Sequence, residues 1–352
     1  MKTPFVTAEL PGSGGLVKSS PEDFRVDEIP AYLPAGTGPH LYLHVEKRGR
    51  TTREVVRALA ARLGVSDRDA GWAGMKDKQA VTTQWLSFPV ARDPDPASLS
   101  DEGCRILQVS RHGNKLRTGH VRGNRFSIAV RGGDPERARA CAAALTVRGL
   151  PNFFGAQRFG NDGNNAAIGK AILFGGALGV PEAEVRRAGR DRFLKRLSIS
   201  AYQSLLFNRW LARRMADGLF ARALAGDVMK KLESGGVFVS EDPAVDLPRV
   251  EQFELSPAGP MFGHKLRAAA GEALAREEAL LAEEGITLDG FARGGGEAEG
   301  TRRAARLPIA LEITPSDDGY RATFELPKGS YATVVLAELT KADAGALPEE
   351  ED

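Results

Sequence analysis

Cysteine and long apolar runs are both scarce in this chain of 352 residues. Cys104 and Cys141 are its only cysteines, which excludes a disulfide framework and a four-cysteine zinc site. No apolar run approaches the roughly 18 residues that span a bilayer. The N-terminal segment MKTPFVTAELPGSGG has no continuous apolar core, so we expect neither a membrane protein nor a secretory signal. These features predict a globular protein of the cytoplasm.

Several common catalytic motifs are absent as well. The sequence has no G-x-x-x-x-G-K-[ST] phosphate loop, no G-x-S-x-G nucleophile elbow and no H-E-x-x-H zinc motif. Its five histidines are scattered. His40 and His44 are four residues apart, but they fall near a predicted strand, where that spacing separates them. We therefore predict no metal and no cofactor, which leaves a catalytic carboxylate as the favoured enzyme chemistry.

The positive charge of the chain is unevenly distributed. The net charge is only +2, yet residues 103–133 contain no acidic residue. Their seven cations are Arg105, Arg111, Lys115, Arg117, Arg122, Arg125 and Arg131. A second basic stretch contains Arg186, Arg187, Arg190, Arg192, Lys195 and Arg196, and Arg209, Arg213 and Arg214 follow it. This pattern indicates a polyanionic partner such as nucleic acid, although arginine-rich faces are also common on proteins that bind none.

The pattern of predicted elements changes along the chain. Alternation predicts strands near 41–45 and 81–90, and a hairpin over 117–130 that turns at Arg122-Gly123-Asn124. Helices are predicted over 51–63, 136–147, 198–216, 263–284 and 331–340, and further strands over 307–313 and 320–326. Thr51 and Glu54 have the spacing of a capping box at the start of the first helix. Strand-rich sections at both ends thus enclose a more helical middle. This arrangement fits a domain inserted into another, although two sequential domains fit almost as well.

The segment GMKDKQAVTTQ carries the first candidate for chemistry. Asp77 stands between Lys76 and Lys78 in a predicted loop between a helix and a strand, the usual setting of active-site residues. Nearby positive charge favours the ionised form of a carboxylate, and an ionised carboxylate can act as a nucleophile or a base. The alternative is an ordinary surface turn with lysines on either side.

Five further residues could belong to a nucleic-acid site. Arg158 lies in the glycine- and aromatic-rich segment NFFGAQRFGN, which suits phosphate contact and base stacking, although Phe153 and Phe154 also suit a core. Asn124 could read the edge of a base, or belong to a plain turn. Lys18 could pair with a catalytic carboxylate, and Phe24 could stack on a base. Alternatively, Lys18 is an exposed lysine and Phe24 is the first core residue of a strand. Tyr331 could cover a ligand, or simply begin a helix.

Taken together, these segments resemble the TruD-type tRNA pseudouridine synthases. The matching segments are KSSPEDFRVDE, AGMKDKQAVTTQW, LRTGHVRGNRFSIAVR, LPNFFGAQRFG, SAYQSLLFNRW and LPKGSYATVVLAEL, in the order of the family and over nearly the whole chain. GMKDKQAVTTQ and NFFGAQRFG are highly specific to that family. The match is poorest over residues 217–252.

The resemblance implies an α+β fold. A pseudouridine synthase core with a mixed, largely antiparallel sheet flanked by helices would carry an inserted α/β TruD domain. We expect residues 1–151 and 305–342 to form the discontinuous catalytic domain, and 152–304 to form the inserted domain. The acidic tail 343–352 is expected to be disordered.

The resemblance also implies a reaction and its residues. Uridine at position 13 in the D-arm of tRNA, typically tRNA(Glu), would be isomerised to pseudouridine. The catalytic aspartate of the family falls on Asp77, and its substrate contacts fall on Phe24, Asn124 and Tyr331. Many relatives have phenylalanine where Tyr331 stands, and some have histidine where Gln79 stands. Lys18 is the first candidate for a cation beside Asp77, with Lys76 and Lys78 as alternatives.

Two other classes of function remain open at this stage. One is a catalytically silent protein that binds or chaperones RNA. The other is a carboxylate hydrolase such as a glycosidase, which needs a second carboxylate about 5–10 Å from the first; no acidic residue stands out as that partner. We expect a monomer without cofactor or metal that binds tRNA and no membrane.

Overall fold

The computed structural model describes residues 3–17, 20–160, 162–176 and 179–342, which form two compact units. The sheet unit comprises Pro11–Ala143, Ile309–Ala332 and the chain from Leu339; the helical unit comprises the chain up to Leu10, Ala144–Pro308 and Thr333–Glu338. The chain therefore passes between the two units mainly at 143/144 and 308/309, whereas the predicted domain boundaries were at 151/152 and 304/305. That these units are a catalytic and an inserted domain stays a prediction, and the acidic tail lies outside the described residues.

The described residues form fifteen strands and nine α-helices. In chain order the strands are β1 (Leu16–Val17), β2 (Phe24–Pro30), β3 (His40–Lys47), β4 (Gly71–Trp72), β5 (Val81–Phe88), β6 (Cys104–His112), β7 (Val121–Arg131), β8 (Leu150–Pro151), β9 (Val228–Lys231), β10 (Val237–Val239), β11 (Leu255–Met261), β12 (Thr301–Ala304), β13 (Arg306–Leu307), β14 (Leu311–Ser316) and β15 (Gly319–Pro327). The helices are α1 (Thr52–Leu63), α2 (Pro96–Leu99), α3 (Pro135–Arg148), α4 (Asn165–Phe174), α5 (Glu182–Arg190), α6 (Arg192–Ala216), α7 (Pro243–Glu251), α8 (Gly271–Glu283) and α9 (Ala332–Thr340). Short 3₁₀ segments lie at Pro21–Asp23, Asp67–Asp69 and Ala156–Phe159, and further 3₁₀ turns lie within Leu288–Ala298, interrupted at Gly295.

A nine-stranded sheet organises the sheet unit. Its strand order is β14-β15-β7-β2-β5-β3-β6, with β1 added beside β7 and β4 beside β5. The pairing of β2 with β5 is parallel, and the other pairings in this sheet are antiparallel. The predicted α+β fold with a mixed, largely antiparallel sheet is therefore confirmed.

Local sequence signals explain helix α1, which packs on this sheet. The Thr51 hydroxyl accepts a hydrogen bond from the Glu54 backbone N–H at 3.2 Å, and the Glu54 carboxylate accepts one from the Thr51 N–H at 2.7 Å. This is the predicted capping box. Gly64 ends the helix in the left-handed conformation at φ 69°. The apolar side of α1 joins the main core of the unit, which includes Val55, Val56, Leu59, Leu41, Leu43, Val45, Leu86 and Phe88.

The predicted hairpin over 117–130 is wrong. Arg122, Gly123 and Asn124 lie inside the continuous strand β7, which pairs with β2 and β15 rather than with a preceding strand. Gly123 allows the neighbouring strand β15 to come close and does not form a turn, because a Cβ there would lie 2.2 Å from the Leu326 carbonyl oxygen. A glycine beside an asparagine had suggested a turn, but here a strand from the far end of the chain requires the glycine.

The helical unit contains two small antiparallel sheets, β10-β9-β11-β12 and β13-β8. Its long helix α6 buries Tyr202 and Leu206 and packs against α4. Two predicted helices begin elsewhere than expected: α6 begins at Arg192, six residues before Ser198, and α8 begins at Gly271 rather than 263. In the part of the chain that the structure describes, no helix is long and apolar enough to cross a membrane.

Candidate active site

Strand register places a group of polar side chains on one face of the nine-stranded sheet. Lys47 of β3 and Val26 of β2 both lie opposite Thr82 of β5, and Glu28 of β2 lies opposite Asn124 of β7. Directly opposed residues point to the same face, as do residues two apart along one strand. One face of the sheet therefore carries Lys47, Glu28 and Asn124. The loop with the predicted catalytic aspartate leads into β5 of the same sheet.

Asp77 lies in that loop, between β4 and β5. The residue is only 7 % exposed, and its Oδ1 accepts a hydrogen bond from the Gln79 backbone N–H at 2.9 Å. Such a contact ties an aspartate side chain to its own turn. The carboxylate is thus held in place before any substrate arrives, which suits a nucleophile or a general base.

Side chains from two strands and a helix hold the residue before Asp77. Lys76 Nζ lies 2.8 Å from Glu28 Oε2, and both side chains are almost entirely buried. The Lys76 backbone N–H donates to Thr52 Oγ1 at 3.0 Å, and this hydroxyl donates to Gln84 Oε1 at 2.8 Å. The loop is therefore fastened to β2, α1 and β5 at once.

A buried lysine holds Asp77 itself. Lys47 Nζ donates to the Asp77 backbone carbonyl oxygen at 2.5 Å and to that of Arg50 at 2.8 Å. Burial lowers the pKa of Lys47 to about 8, while the Asp77 carboxylate acts to raise this pKa and Lys76 to lower it. The ammonium thus lies within electrostatic reach of the Asp77 carboxylate.

Asn124 offers an acceptor on the same face of the sheet. Its Oδ1 is buried and has no hydrogen-bond partner among the described residues. An amide oxygen without a partner is costly to bury, so the position is suited to an N–H that a ligand would bring. Its cross-strand neighbour Glu28 is the residue that holds Lys76.

The two aromatic candidates occupy different settings in the sheet unit. Phe24 begins β2 on the same face as Glu28; it is 1 % exposed, and its ring meets that of Phe126 edge-on at 6.3 Å. Tyr331 is half-buried and directly precedes α9. It follows β15, whose Pro327 lies opposite Gly123, the neighbour of Asn124. Their contact with substrate stays a prediction.

The remaining candidates divide between the units. Lys18 lies outside the described residues, and Lys78 is exposed on the Asp77 loop. Arg158 belongs to the helical unit, where its guanidinium donates to the hydroxyls of Ser200 and Ser204 on α6. Phe153 and Phe154 of the same segment are buried, as the core alternative predicted. No group of three or more His, Cys, Asp or Glu side chains in the described ranges could hold a metal ion.

Sequence reasoning missed the residues that hold the loop, namely Lys47, Glu28, Thr52 and Gln84. A signal for the first two was present, because Lys47 continues the inward alternation of Leu41, Leu43 and Val45, and Glu28 that of Phe24 and Val26. No comparable signal marks Thr52 or Gln84.

Comparisons with known proteins agree with this fold. The family model of tRNA pseudouridine synthase D (TruD) matches residues 2–180 and 189–339. A tRNA pseudouridine synthase D from Anaeromyxobacter sp. (strain Fw109-5) is 72% identical over 349 residues, covering 99% of each chain. One from Thermus thermophilus is 44% identical, covering 97% of this chain and 93% of its own. A crystal structure described as TruD from Methanosarcina mazei superposes with a TM-score of 0.77 at 26% identity and 98% coverage of both chains.

The fold, with its mixed sheet, and the family match thus define the protein as an RNA-modifying isomerase. The chain is a member of the tRNA pseudouridine synthase D (TruD) family, and it isomerises uridine to pseudouridine in tRNA.

Proposed function

We propose that the chain modifies uridine 13 in the D-arm of tRNA, typically tRNA(Glu), with Asp77 as the catalytic residue. The observation that carries this proposal is the setting of Asp77. Its buried carboxylate is tied to its own turn, and its loop is fastened to three strands and a helix of the sheet unit. Within the described residues, no other carboxylate combines such a loop with the family segment GMKDKQAVTTQ.

The chemistry of isomerisation fits one held carboxylate. The N1–C1′ bond breaks, the uracil turns and the C5–C1′ bond forms; C5 loses its hydrogen as a proton, and N1 gains a proton, so the product is an isomer of the substrate. No electron is gained or lost, and no water is consumed. Asp77 would act in its ionised form, either by attacking C1′ or by removing the C2′ proton. The target base must leave the helical stack to reach it, which costs a few kcal/mol.

We assign recognition of the flipped base to Asn124, Tyr331 and Phe24. Asn124 Oδ1 is buried without a partner in the described part of the chain, so it can accept the N3–H of uracil. Tyr331 would stack on the base. Phe24 would contact the base as well, and because it is 1 % exposed, its ring must become accessible when RNA binds.

The basic residues would hold the RNA backbone, but not all to the same extent. In the stretch 103–133, Arg105 pairs with Glu46 at 3.0 Å and Arg125 pairs with Glu325 at 2.7 Å. Arg117 and Arg122 are exposed, and no carboxylate pairs with their side chains among the described residues. The uncompensated pair is therefore the better candidate for phosphate contact.

The position of modification can be tested with two transcripts of tRNA(Glu), one natural and one with uridine 13 replaced by cytidine. Pseudouridine is mapped by carbodiimide adducts and primer extension after incubation with the enzyme. We expect a single stop at position 13 in the natural transcript and none in the other. Modification at another uridine, with position 13 unmodified, would overturn the assignment of the D-arm.

A further inference from the structure

Lys47 is a charged residue at the end of an apolar row. The preceding residues of β3 on the same face, Leu41, Leu43 and Val45, belong to the main core, and Lys47 is itself only 1 % exposed. Lysine is almost never fully buried unless its ammonium has partners, because removing a charge from water is costly. A buried lysine here therefore calls for a specific role.

The contacts of Lys47 join two segments of backbone. Its ammonium donates to the carbonyl oxygens of Asp77 and Arg50, at 2.5 and 2.8 Å. Arg50 lies in the turn between β3 and α1, so the contacts join that turn to the Asp77 loop. In the described ranges, Lys47 is not ion-paired with any carboxylate, whereas Lys76 is paired with Glu28. The Lys47 ammonium therefore holds the Asp77 loop through backbone carbonyl oxygens and not through an ion pair.

We propose that Lys47 is a positioning residue for Asp77. It fixes the backbone of the catalytic residue through its hydrogen bond to the Asp77 carbonyl oxygen. This inference rests on the proposed role of Asp77. A displacement of a reacting group by about 1 Å can reduce a rate about 100-fold, so a contact to the catalytic residue's own carbonyl should affect the chemical step more than the binding of tRNA.

A purely structural lysine would behave differently. Loss of such a residue would lower the unfolding free energy, but the fraction that remains folded would turn over normally. Loss of a positioning residue lowers kcat in folded protein and leaves KM and the Kd for tRNA nearly unchanged. The two roles are therefore separated by kinetics measured well below the melting temperature.

The test compares Lys47→Met and Lys47→Arg with wild type and with a matched control. Lys230→Met is that control, because Lys230 lies in the helical unit, donates to the Arg302 carbonyl oxygen at 3.0 Å and has a pKa that burial also lowers. We expect Lys47→Met to lose about 10- to 100-fold in kcat with the Kd for tRNA within threefold of wild type. Lys47→Arg should retain more activity than Lys47→Met, and Lys230→Met should retain the kcat of wild type.

Two results would overturn the inference about Lys47. One is a kcat of folded Lys47→Met within twofold of wild type; the other, if Lys47→Met does not fold, is a folded Lys47→Gln, which shortens the side chain and removes its charge, with a kcat within twofold of wild type. Failure of the proposed function would look different, because Asp77→Asn would then remain active whatever Lys47→Met does.

Discussion

Lys76 Nζ and Glu28 Oε2 lie 2.8 Å apart, and their side chains are 6% and 0% exposed. This buried ion pair connects the residue before Asp77 to the strand residue opposite Asn124. Removal of one member of such a pair leaves an uncompensated buried charge, which costs about 3–5 kcal/mol. We expect Glu28→Leu or Lys76→Met alone to lower the unfolding free energy by that amount in urea denaturation.

The double variant Glu28→Leu, Lys76→Met provides the control for this prediction. It removes both charges together, so it should be more stable than either single variant. Its kcat should nevertheless remain reduced, because the Asp77 loop has lost one attachment. If the double variant lost as much stability as the two single variants together, the pair would not act as a unit.

Substitution of Asn124 should affect catalysis without destabilising the fold. Its Oδ1 makes no hydrogen bond within the described chain, so Asn124→Ala should change the unfolding free energy by less than about 1 kcal/mol. Loss of a hydrogen bond to the base should reduce kcat/KM about tenfold.

Asn208 is the matched control for Asn124. It is buried in the helical unit, and its side chain makes hydrogen bonds with both the N–H and the carbonyl oxygen of Phe154, each at 2.9 Å. Asn208→Ala should therefore cost at least about 2 kcal/mol in stability, with kcat of the folded enzyme preserved. An Asn124→Ala variant with the kcat/KM of wild type would remove that amide from the site.

The salt dependence of tRNA binding should distinguish arginines that pair with a carboxylate of the described chain from exposed arginines that do not. The double substitution Arg117→Gln, Arg122→Gln removes two exposed cations, and the control Arg105→Gln, Arg125→Gln removes two that pair with Glu46 and Glu325. If the first pair contacts phosphates, the slope of log K against log salt should shrink by about 1 to 2, and the control should change it by less than half as much. Equal slopes in both variants would place Arg117 and Arg122 away from the RNA.

The stability of the protein should depend on pH through Lys47. Burial lowers the pKa of Lys47 from 10.5 to about 8, with Asp77 and Glu54 raising it and Lys76 lowering it. Between about pH 8 and 10.5 the unfolded chain therefore holds a proton that the folded chain has released. The unfolding free energy should rise with pH across this window because of this group.

Lys47→Met isolates that contribution from those of other groups. Burial raises the pKa of Tyr320 to about 12, so this group lowers stability above about pH 10, where tyrosine in the unfolded chain ionises. We would compare wild type and Lys47→Met by urea denaturation from pH 7.5 to 9.5. The wild type should gain stability relative to the variant as the pH rises; parallel curves would contradict the shifted pKa.

Much of the sheet unit follows from local patterns in the sequence. Alternation around Leu41 and Leu43 and the capping box of Thr51 predicted β3 and α1 correctly. The predicted strand ended at Val45, whereas β3 continues to Lys47. The same alternation, continued for one more pair of residues, places Lys47 inward.

Other parts of the site depend on contacts between distant segments. The bond from Thr52 to Gln84 requires the packing of α1 against β5, and no local pattern specifies it. The error at Gly123 has a similar origin, since the close approach of Leu326 comes from β15. A local reading sees only the turn preference of Gly-Asn, whereas tertiary pairing decides the backbone conformation.

The central claim is that Asp77 performs the chemistry, and tritium release tests it most directly. Formation of the C5–C1′ bond displaces the C5 hydrogen, so tRNA labelled at uridine C5 reports turnover. Wild type, Asp77→Asn and the exposed control Asp317→Asn would be compared in single turnover, together with their Kd for tRNA. We predict release by wild type and Asp317→Asn, and none by Asp77→Asn although it binds tRNA with an unchanged Kd. Release by Asp77→Asn within tenfold of the wild-type rate would contradict the account.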